Sequence, residues 1–258
     1  MHRSTRSARV LAAALTAGAL LVTTGCSDDG EATAAATASP PPRLTEAGAK
    51  AALITEGDIE DAWTKVDDAA TWRDQLLHGK VDVAGFLTRK GDAADCQRLL
   101  DGLYNNNLLG KPAGASALTG FEEDDTRLVY QVGDYGQANL KASMAWLETI
   151  PQKCGQFTMT GSDGGKRAVQ VIEIQLPNAG DARQGMTVTM QGTPGGGPAT
   201  LSMDVAVVRV GASGIALTNG GVGGADHDTT ETAVELGTGR LQDVLAGKTP
   251  SPEPPVLE

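Results

Sequence analysis

The sequence predicts an α+β domain in which a twisted antiparallel sheet of about five strands packs against helices from the N-terminal half and from the C-terminus. Apolar residues recur at helical spacing in the N-terminal half and near the C-terminus, whereas between these regions apolar and polar residues alternate as in half-buried strands. Short glycine-rich connections join the alternating segments, which is typical of hairpins and therefore of antiparallel neighbours. Helices before and after a run of strands favour α+β over a parallel βαβ fold.

Three helices are predicted ahead of the main run of strands. The first covers residues 45–56, and the third covers residues 136–150, where Pro151 ends the helical pattern. The second carries one apolar stripe with i, i+3, i+4, i+7 spacing, formed by Cys96, Leu99, Leu100 and Leu103. This spacing places Cys96 on the buried side of its helix.

The closing helix is predicted to begin near Asp228. Glu231 follows three residues later, and the pair matches a capping box, in which side chains satisfy backbone donors of the first turn. Gly237 and Gly239 lie inside this helix and lower its intrinsic stability.

Alternating patterns mark the strands. The segments MTVTMQ and LSMDVAVVRV, residues 186–191 and 201–210, each place apolar side chains on one face. In residues 168–176 the apolar positions move from odd to even numbers, which predicts a bulge or a strand buried on both faces. The connections GTPGGGP and GASG are then the turns of hairpins.

The first 25 residues read as an export signal. Arg3, Arg6 and Arg9 precede an apolar run from Val10 to Val22, which is too short to span a bilayer as a mature helix. The sequence LVTTGC that follows resembles the lipobox of bacterial lipoproteins. That resemblance implies that residues 1–25 are a lipoprotein signal peptide and that Cys26 is lipidated, which holds the protein at the extracytoplasmic face of the cell membrane. An ordinary secretory signal or an uncleaved anchor is the alternative.

Three cysteines leave an odd thiol unless one of them is modified. Lipidation of Cys26 accounts for one, and Cys96 and Cys154 then form a pair in an oxidising compartment, where a disulfide is the natural inference. Two independent buried thiols are the alternative. The two positions lack nearby histidines at zinc-ligand spacing, so we expect no metal there.

Composition divides the mature chain into three parts. Residues 26–43 contain almost no large apolar side chain and end in prolines, which predicts a disordered tether. Residues 44–248 form a single domain, and residues 249–258 are a proline-rich disordered tail. The net charge is −11, and removing residues 1–25 with their three arginines leaves 18 basic against 32 acidic side chains, a net of −14. Nucleic acid is therefore not an expected partner.

The remaining sequence contains only incomplete versions of the motifs for catalysis or cofactor binding. NGGVGGAD, residues 219–226, resembles a dinucleotide loop but has Asp226 at the last glycine position, so we interpret it as a turn before a helix. The sequence around His227 offers three groups for a metal, but a solvated helix cap explains the same residues. No nucleophile elbow is present. The sequence therefore predicts no enzyme, no cofactor and no metal.

Several segments together are similar to one known family. LTEAGAKAALITEGDIEDAW, ADCQRLLDGL, CGQFT, VQVIEIQLPNAGD and VVRVGASGIAL occur in this order before the closing helix. The chain resembles actinobacterial lipoproteins with a PknH-type extracellular sensor domain. That resemblance implies a twisted antiparallel sheet packed against helices, with a cleft for an unidentified extracytoplasmic ligand.

The function predicted from the sequence is that of a cell-surface lipoprotein with a non-enzymatic, sensor-like binding domain. Its partners would be the membrane, through the lipid on Cys26, and an unknown small molecule or envelope protein. The ligand-binding residues are not identified by the sequence. The alternative is an envelope-modifying hydrolase whose site is assembled from scattered residues.

Overall fold

An antiparallel sheet of eight strands forms the framework of the domain. The structure, a computed structural model, describes residues 43–59, 62–67, 69, 90–160, 164–193, 197–222 and 224–251. The strands are β1 (Thr64–Val66), β2 (Ser116–Glu123), β3 (Thr126–Asp134), β4 (Gln156–Thr160), β5 (Lys166–Ile174), β6 (Ala182–Gly192), β7 (Ala199–Val210) and β8 (Ser213–Gly221).

The α+β class predicted from the sequence is confirmed, but the predicted number of about five strands is wrong. The strands without a predicted counterpart are β1, β2 and β4, whereas the acidic run at residues 122–125 is interpreted from the sequence as a solvated loop before a strand, which is β3. Strands β1 and β4 have only three and five residues, too few for an alternating pattern to be recognised. The hairpin of β2 and β3 turns at Asp124–Asp125, inside this acidic run.

The order of strands across the sheet is β1-β2-β3-β8-β7-β6-β5-β4. Strands β1 to β3 form one antiparallel run, and β4 to β8 form a second that returns to pair β8 with β3. The predicted hairpin turns GTPGGGP and GASG connect β6 to β7 and β7 to β8. In β5 the side chains of Val169 and Val171 are buried while Ile172 is exposed, so the strand is buried on one face only.

Four α-helices and one 3-10 turn, at Glu56–Asp58, accompany the sheet in the described ranges. The helices are α1 (Glu46–Ala51), α2 (Lys90–Tyr104), α3 (Gln137–Lys153) and α4 (His227–Leu245). Helix α1 is shorter than predicted. Helix α3 does not end at Pro151 as predicted but continues to Lys153. The N–H of Cys154 still donates a helical hydrogen bond to the carbonyl of Ile150 at 2.8 Å.

The N-terminal cap of the closing helix lies two residues earlier than predicted. The N-cap of α4 is Asp226 rather than Asp228: the Asp226 carboxylate accepts hydrogen bonds from the backbone N–H of Asp228 at 3.0 Å and of Thr229 at 3.5 Å. A carboxylate at this position satisfies donors that the first turn leaves unpaired and interacts favourably with the helix dipole.

Helices cover opposite faces of the sheet in its two halves. Helices α2 and α3 pack on one face over strands β4 to β8, where Leu147, Met186 and Val205 belong to one apolar cluster. Helices α1 and α4 pack on the other face, where Tyr130 of β3 and Val234 of α4 belong to a second cluster. Each half of the sheet therefore has one face covered by helices.

The predicted disulfide between Cys96 and Cys154 is confirmed. Both residues are fully buried, and their Cα atoms are 5.5 Å apart. The bond joins α2 to the residue that caps the C-terminus of α3. Closing a chain segment of 58 residues contributes about 4 kcal/mol to the free energy of unfolding in the chain-entropy model.

A polar contact reinforces this clamp beside the disulfide. The carboxylate of Asp95 on α2 accepts hydrogen bonds from Trp146 Nε1 at 2.9 Å and Lys153 Nζ at 2.7 Å, both on α3. The guanidinium of Arg98 lies 3.8 Å from the centre of the Trp146 ring. The Lys153 contact, more than any other, lowers the pKa of Asp95 below its usual value.

The predicted segments at both ends of the chain lie largely outside the described residues. These include the signal peptide, Cys26, nearly all of the tether and residues 252–258. Within the part of the chain that the structure describes, no helix has the length and apolar character needed to cross a membrane. The proposed boundaries of these segments stay predictions.

Close packing of α4 on β3 explains why position 237 is a glycine rather than a residue that favours helices. A Cβ atom at this position would lie 2.7 Å from Cζ of the buried Tyr130 ring, so glycine permits the helix to lie directly on β3. At Gly239, two residues further along, a Cβ atom would meet nothing within 4 Å.

We therefore expect Gly237→Ala and Gly239→Ala to change stability in opposite directions. Overpacking against Tyr130 outweighs the gain in helix propensity, so Gly237→Ala should lower the free energy of unfolding by about 1 to 2 kcal/mol. Gly239→Ala should raise it by up to about 1 kcal/mol. Urea unfolding of both variants measures this, and equal stabilisation by both substitutions would contradict the close packing at Gly237.

Candidate binding groove

A groove of about 510 Å³ lies between α3 and one end of the sheet. One wall is the stretch of α3 from Lys141 to Glu148, and the other is formed by the end of β5, the beginning of β6 and Arg209 near the end of β7. This volume is within the range typical of small-molecule sites. The sequence did not identify these residues as a site.

Strand alternation brings the polar groups of the sheet into the groove. Met186 and Val207 belong to the cluster under α2 and α3. Because side chains two residues apart point to the same face, Gln184 and Arg209 also face α3. Here the apolar rows of β6 and β7 end and polar side chains replace them, so the groove begins where the core stops.

The loop between β5 and β6 is fixed to the sheet by Asp181. Its carboxylate accepts hydrogen bonds from the N–H of Gly211 at 2.7 Å and from Arg209 at 3.2 Å, and its own N–H donates to the Arg209 carbonyl at 2.7 Å. Gly180, with φ of +65°, allows the close approach of this loop to β7. These contacts hold Arg209 in place at the groove wall.

Arg183 is held by neutral acceptors. Its Nε donates to the carbonyl of Leu176 at 3.2 Å, and one terminal nitrogen donates to Asn178 Oδ1 at 2.9 Å. Within the described parts of the chain, the guanidinium is thus oriented without a carboxylate contact. An arginine with spare donors can bind a carboxylate or phosphate group in two-pronged geometry.

The residues that line the groove include three cationic and two anionic ones, of which Arg183 directs its side chain to the opposite face of β6 from Gln184. Arg209 pairs with Asp181, and Glu173 accepts a long hydrogen bond of 3.4 Å from the buried Gln184 amide. Lys141 and Glu148 form no ion pair with any residue that the structure describes. The groove is therefore nearly balanced in charge, within a chain whose net charge is −11.

A second polar cluster lies on the opposite face of the same strands. The buried carboxylate of Asp204 on β7 accepts a hydrogen bond from Thr187 Oγ1 at 2.6 Å and lies 3.0 Å from His227 Nδ1. His227 Nε2 lies 3.4 Å from a carboxylate oxygen of Glu231, one turn along α4. This cluster ties the start of α4 to the sheet.

This arrangement differs from the two sequence interpretations of the region around His227. The sequence predicted a solvated cap, and the cap is present, but it is Asp226, while His227 forms an ion pair with a strand residue 23 positions earlier. No group of three potential metal ligands with suitable geometry occurs in the described residues. The contact between Asp204 of β7 and His227 of α4 could not be predicted from the spacing of residues along the chain.

Hydrogen bonding to Asp204 raises the pKa of His227 above its usual value, and the charges of Glu231 and Asp228 act in the same direction. A histidine whose pKa is raised by folding stabilises the native state fully below the unfolded pKa of about 6.5. This contribution is lost as the pH rises through the higher folded pKa.

We expect the difference in unfolding free energy between the parent protein and His227→Gln to be larger at pH 5.5 than at pH 8.5. Urea unfolding at the two pH values measures it, with Asp204 and Glu231 left unchanged. A difference independent of pH would show that the His227 charge does not contribute to stability.

Comparisons with known proteins include a structural match. No family model matches the sequence, and the search of curated proteins gives no significant match. Among solved structures, the chain is similar to the extracellular domain of PknH from Mycobacterium tuberculosis, with 12% identity and a TM-score of 0.43 over 80% of this chain and 98% of that one. The family that the sequence resembles and this solved structure are both PknH-type extracellular domains.

Proposed function

We propose that this protein is a lipid-anchored, extracytoplasmic binding protein whose domain takes up a small molecule in the groove beside α3. The groove carries this proposal, because it joins a volume suited to a small ligand with charged groups whose positions the scaffold fixes. Arg209 is oriented by the loop between β5 and β6, so a ligand would meet a preorganised donor.

The anchor in this proposal rests on the amino-terminal sequence. A positive segment, a short apolar run and the LVTTGC sequence precede Cys26. The disulfide between Cys96 and Cys154 fits an exported protein, because such bonds persist in oxidising compartments. The mature charge of −14 would keep the domain away from anionic headgroups, so the lipid rather than the protein surface would make the membrane contact.

Binding without catalysis is favoured by the chemistry of the groove and of the histidine cluster. In a Ser-His-Asp arrangement, the histidine nitrogen remote from the aspartate faces a nucleophile. In this protein that nitrogen of His227 faces the Glu231 carboxylate, which is suited to an ion pair rather than to proton abstraction from a hydroxyl. The histidine cluster thus gives no support to the alternative of an envelope hydrolase.

Replacing Cys26 by serine should release the protein from the membrane. We expect the parent protein, expressed in an actinobacterial host, to remain in the membrane fraction and to carry fatty acyl mass, and the variant to be found in the medium or the soluble extracytoplasmic fraction. Fractionation and intact-protein mass spectrometry measure this. Membrane retention of Cys26→Ser with an intact amino-terminus would indicate an uncleaved anchor and contradict the lipidation.

Filling the groove should abolish ligand binding. Ala145 lies on the groove wall of α3, whereas Ala142 is exposed on the same helix but does not line the groove. In a thermal-shift screen with glycan, peptide, lipid-headgroup and metal panels, we expect one chemical class to raise the melting temperature by about 5 °C or more near 100 times its dissociation constant. Ala145→Trp should remove this shift, and Ala142→Trp should keep it.

Two outcomes would contradict the proposed function. A panel in which no class stabilises the parent protein would leave the groove without a ligand. A stabilisation that survives Ala145→Trp would place the binding site elsewhere on the protein. Melting temperatures of the two variants without ligand serve as the control for correct folding.

A further inference from the structure

The unpaired charges of the groove lie on one face of α3. Lys141 and Glu148 are seven residues apart, which corresponds to nearly two full turns of helix and about 10.5 Å along the axis. Both line the groove, and Met144 and Ala145 form the helix wall between them. The helix therefore presents a cation and an anion at a defined separation, with a mainly apolar surface between the two charges.

The other charged groups of the groove already have partners within the protein. Arg209 contacts Asp181, Arg183 donates to Leu176 and Asn178, and Glu173 accepts from Gln184. Among the described residues, Lys141 and Glu148 are the charged groups of the groove that have neither an ion pair nor a hydrogen-bond partner, one positive and one negative. A ligand with a single charge would gain from one of them and be repelled by the other, whereas a ligand with both charges at the correct spacing would gain from both.

The spacing defines the size of such a ligand. An extended peptide spans about 3.3 to 3.6 Å per residue, so three residues separate the two terminal charges by about 10 Å. Peptide groups also need donors and acceptors along their length. The sheet wall supplies the side-chain amides of Gln175 and Gln184, of which Gln184 is nine-tenths buried and held only by long hydrogen bonds of 3.4 Å.

We propose that the groove binds a short zwitterionic peptide of about three residues, whose free carboxylate pairs with Lys141 and whose free ammonium pairs with Glu148. This inference rests on the proposed function and adds the chemical class of the ligand. The peptide would lie along α3, with its backbone against the amides of the sheet wall.

The test removes each charge from the ligand and its partner from the protein in turn. Isothermal titration calorimetry on the full chain would use trialanine, N-acetyl-trialanine and trialanine amide, with dialanine as the length control. We expect acetylation and amidation each to weaken binding to the parent protein by about fivefold, the upper end for exposed ion pairs. In the Glu148→Gln variant, acetylation of the peptide should not weaken binding any further. In the Lys141→Met variant, amidation of the peptide should not weaken binding any further.

Matched variants outside the groove provide the control. Lys65→Met on β1 and Glu235→Gln on α4 remove the same charges from positions that do not line the groove, so both capping costs should persist in them. Dialanine, whose termini are too close together to reach both charges, should bind more weakly than trialanine.

Two results would overturn the inference. Either trialanine fails to bind at 10 mM, or the capping costs are the same in the parent, Glu148→Gln and Lys141→Met proteins. If another class still stabilises the protein in a manner that Ala145→Trp removes, the groove is a binding site for a different ligand and the proposed function stands. If no class does so, both proposals fail.

Discussion

The position of α3 determines both the core and the groove. The chain leaves β3, near the middle of the sheet, and must reach β4 at the far edge before it can return strand by strand to β8. Helix α3 makes this crossing over one face of the sheet, and its buried stripe includes Leu140, Leu147 and Ile150. An eight-stranded sheet is wide, so α1 and α4 cover the opposite face of the other half. The disulfide and the Asp95 contacts hold the end of α3 against α2, just before β4 begins.

The groove follows from this geometry because a straight helix cannot cover the whole end of a twisted sheet. Where the apolar rows of β6 and β7 stop, the side of α3 that carries Lys141 and Glu148 separates from the strands, and polar side chains fill the angle. The loop that joins β5 to β6 closes the end of the angle and is held by Asp181. The groove is therefore built from regular elements and one well-anchored loop.

The sequence predicted those features that depend on local patterns or on the cellular compartment. The stripe around Cys96 and the predicted export together were sufficient for the disulfide with Cys154, which the structure contains. The cap of α4 was assigned to Asp228 because its spacing to Glu231 matched a capping box, whereas Asp226, two residues earlier, supplies the contacts. Gly237 counted against the helix, since the sequence does not reveal the ring of Tyr130 beneath it.

The groove could not be predicted, because its parts are far apart along the chain and none of them forms a motif. Lys141 and Glu148 have the sequence pattern of an ordinary solvated helix face, and Arg183, after the loop between β5 and β6, and Arg209, before the turn between β7 and β8, belong to no recognisable motif. On β6, Gln184 faces the groove while Thr187 faces Asp204 and His227, so one strand serves two polar sites on opposite faces. The buried apolar side chains of Met186 and Val188 lie on the groove side of that strand, so the sheet itself separates the two sites. A change of charge at His227 should thus affect how firmly α4 is held without altering the groove.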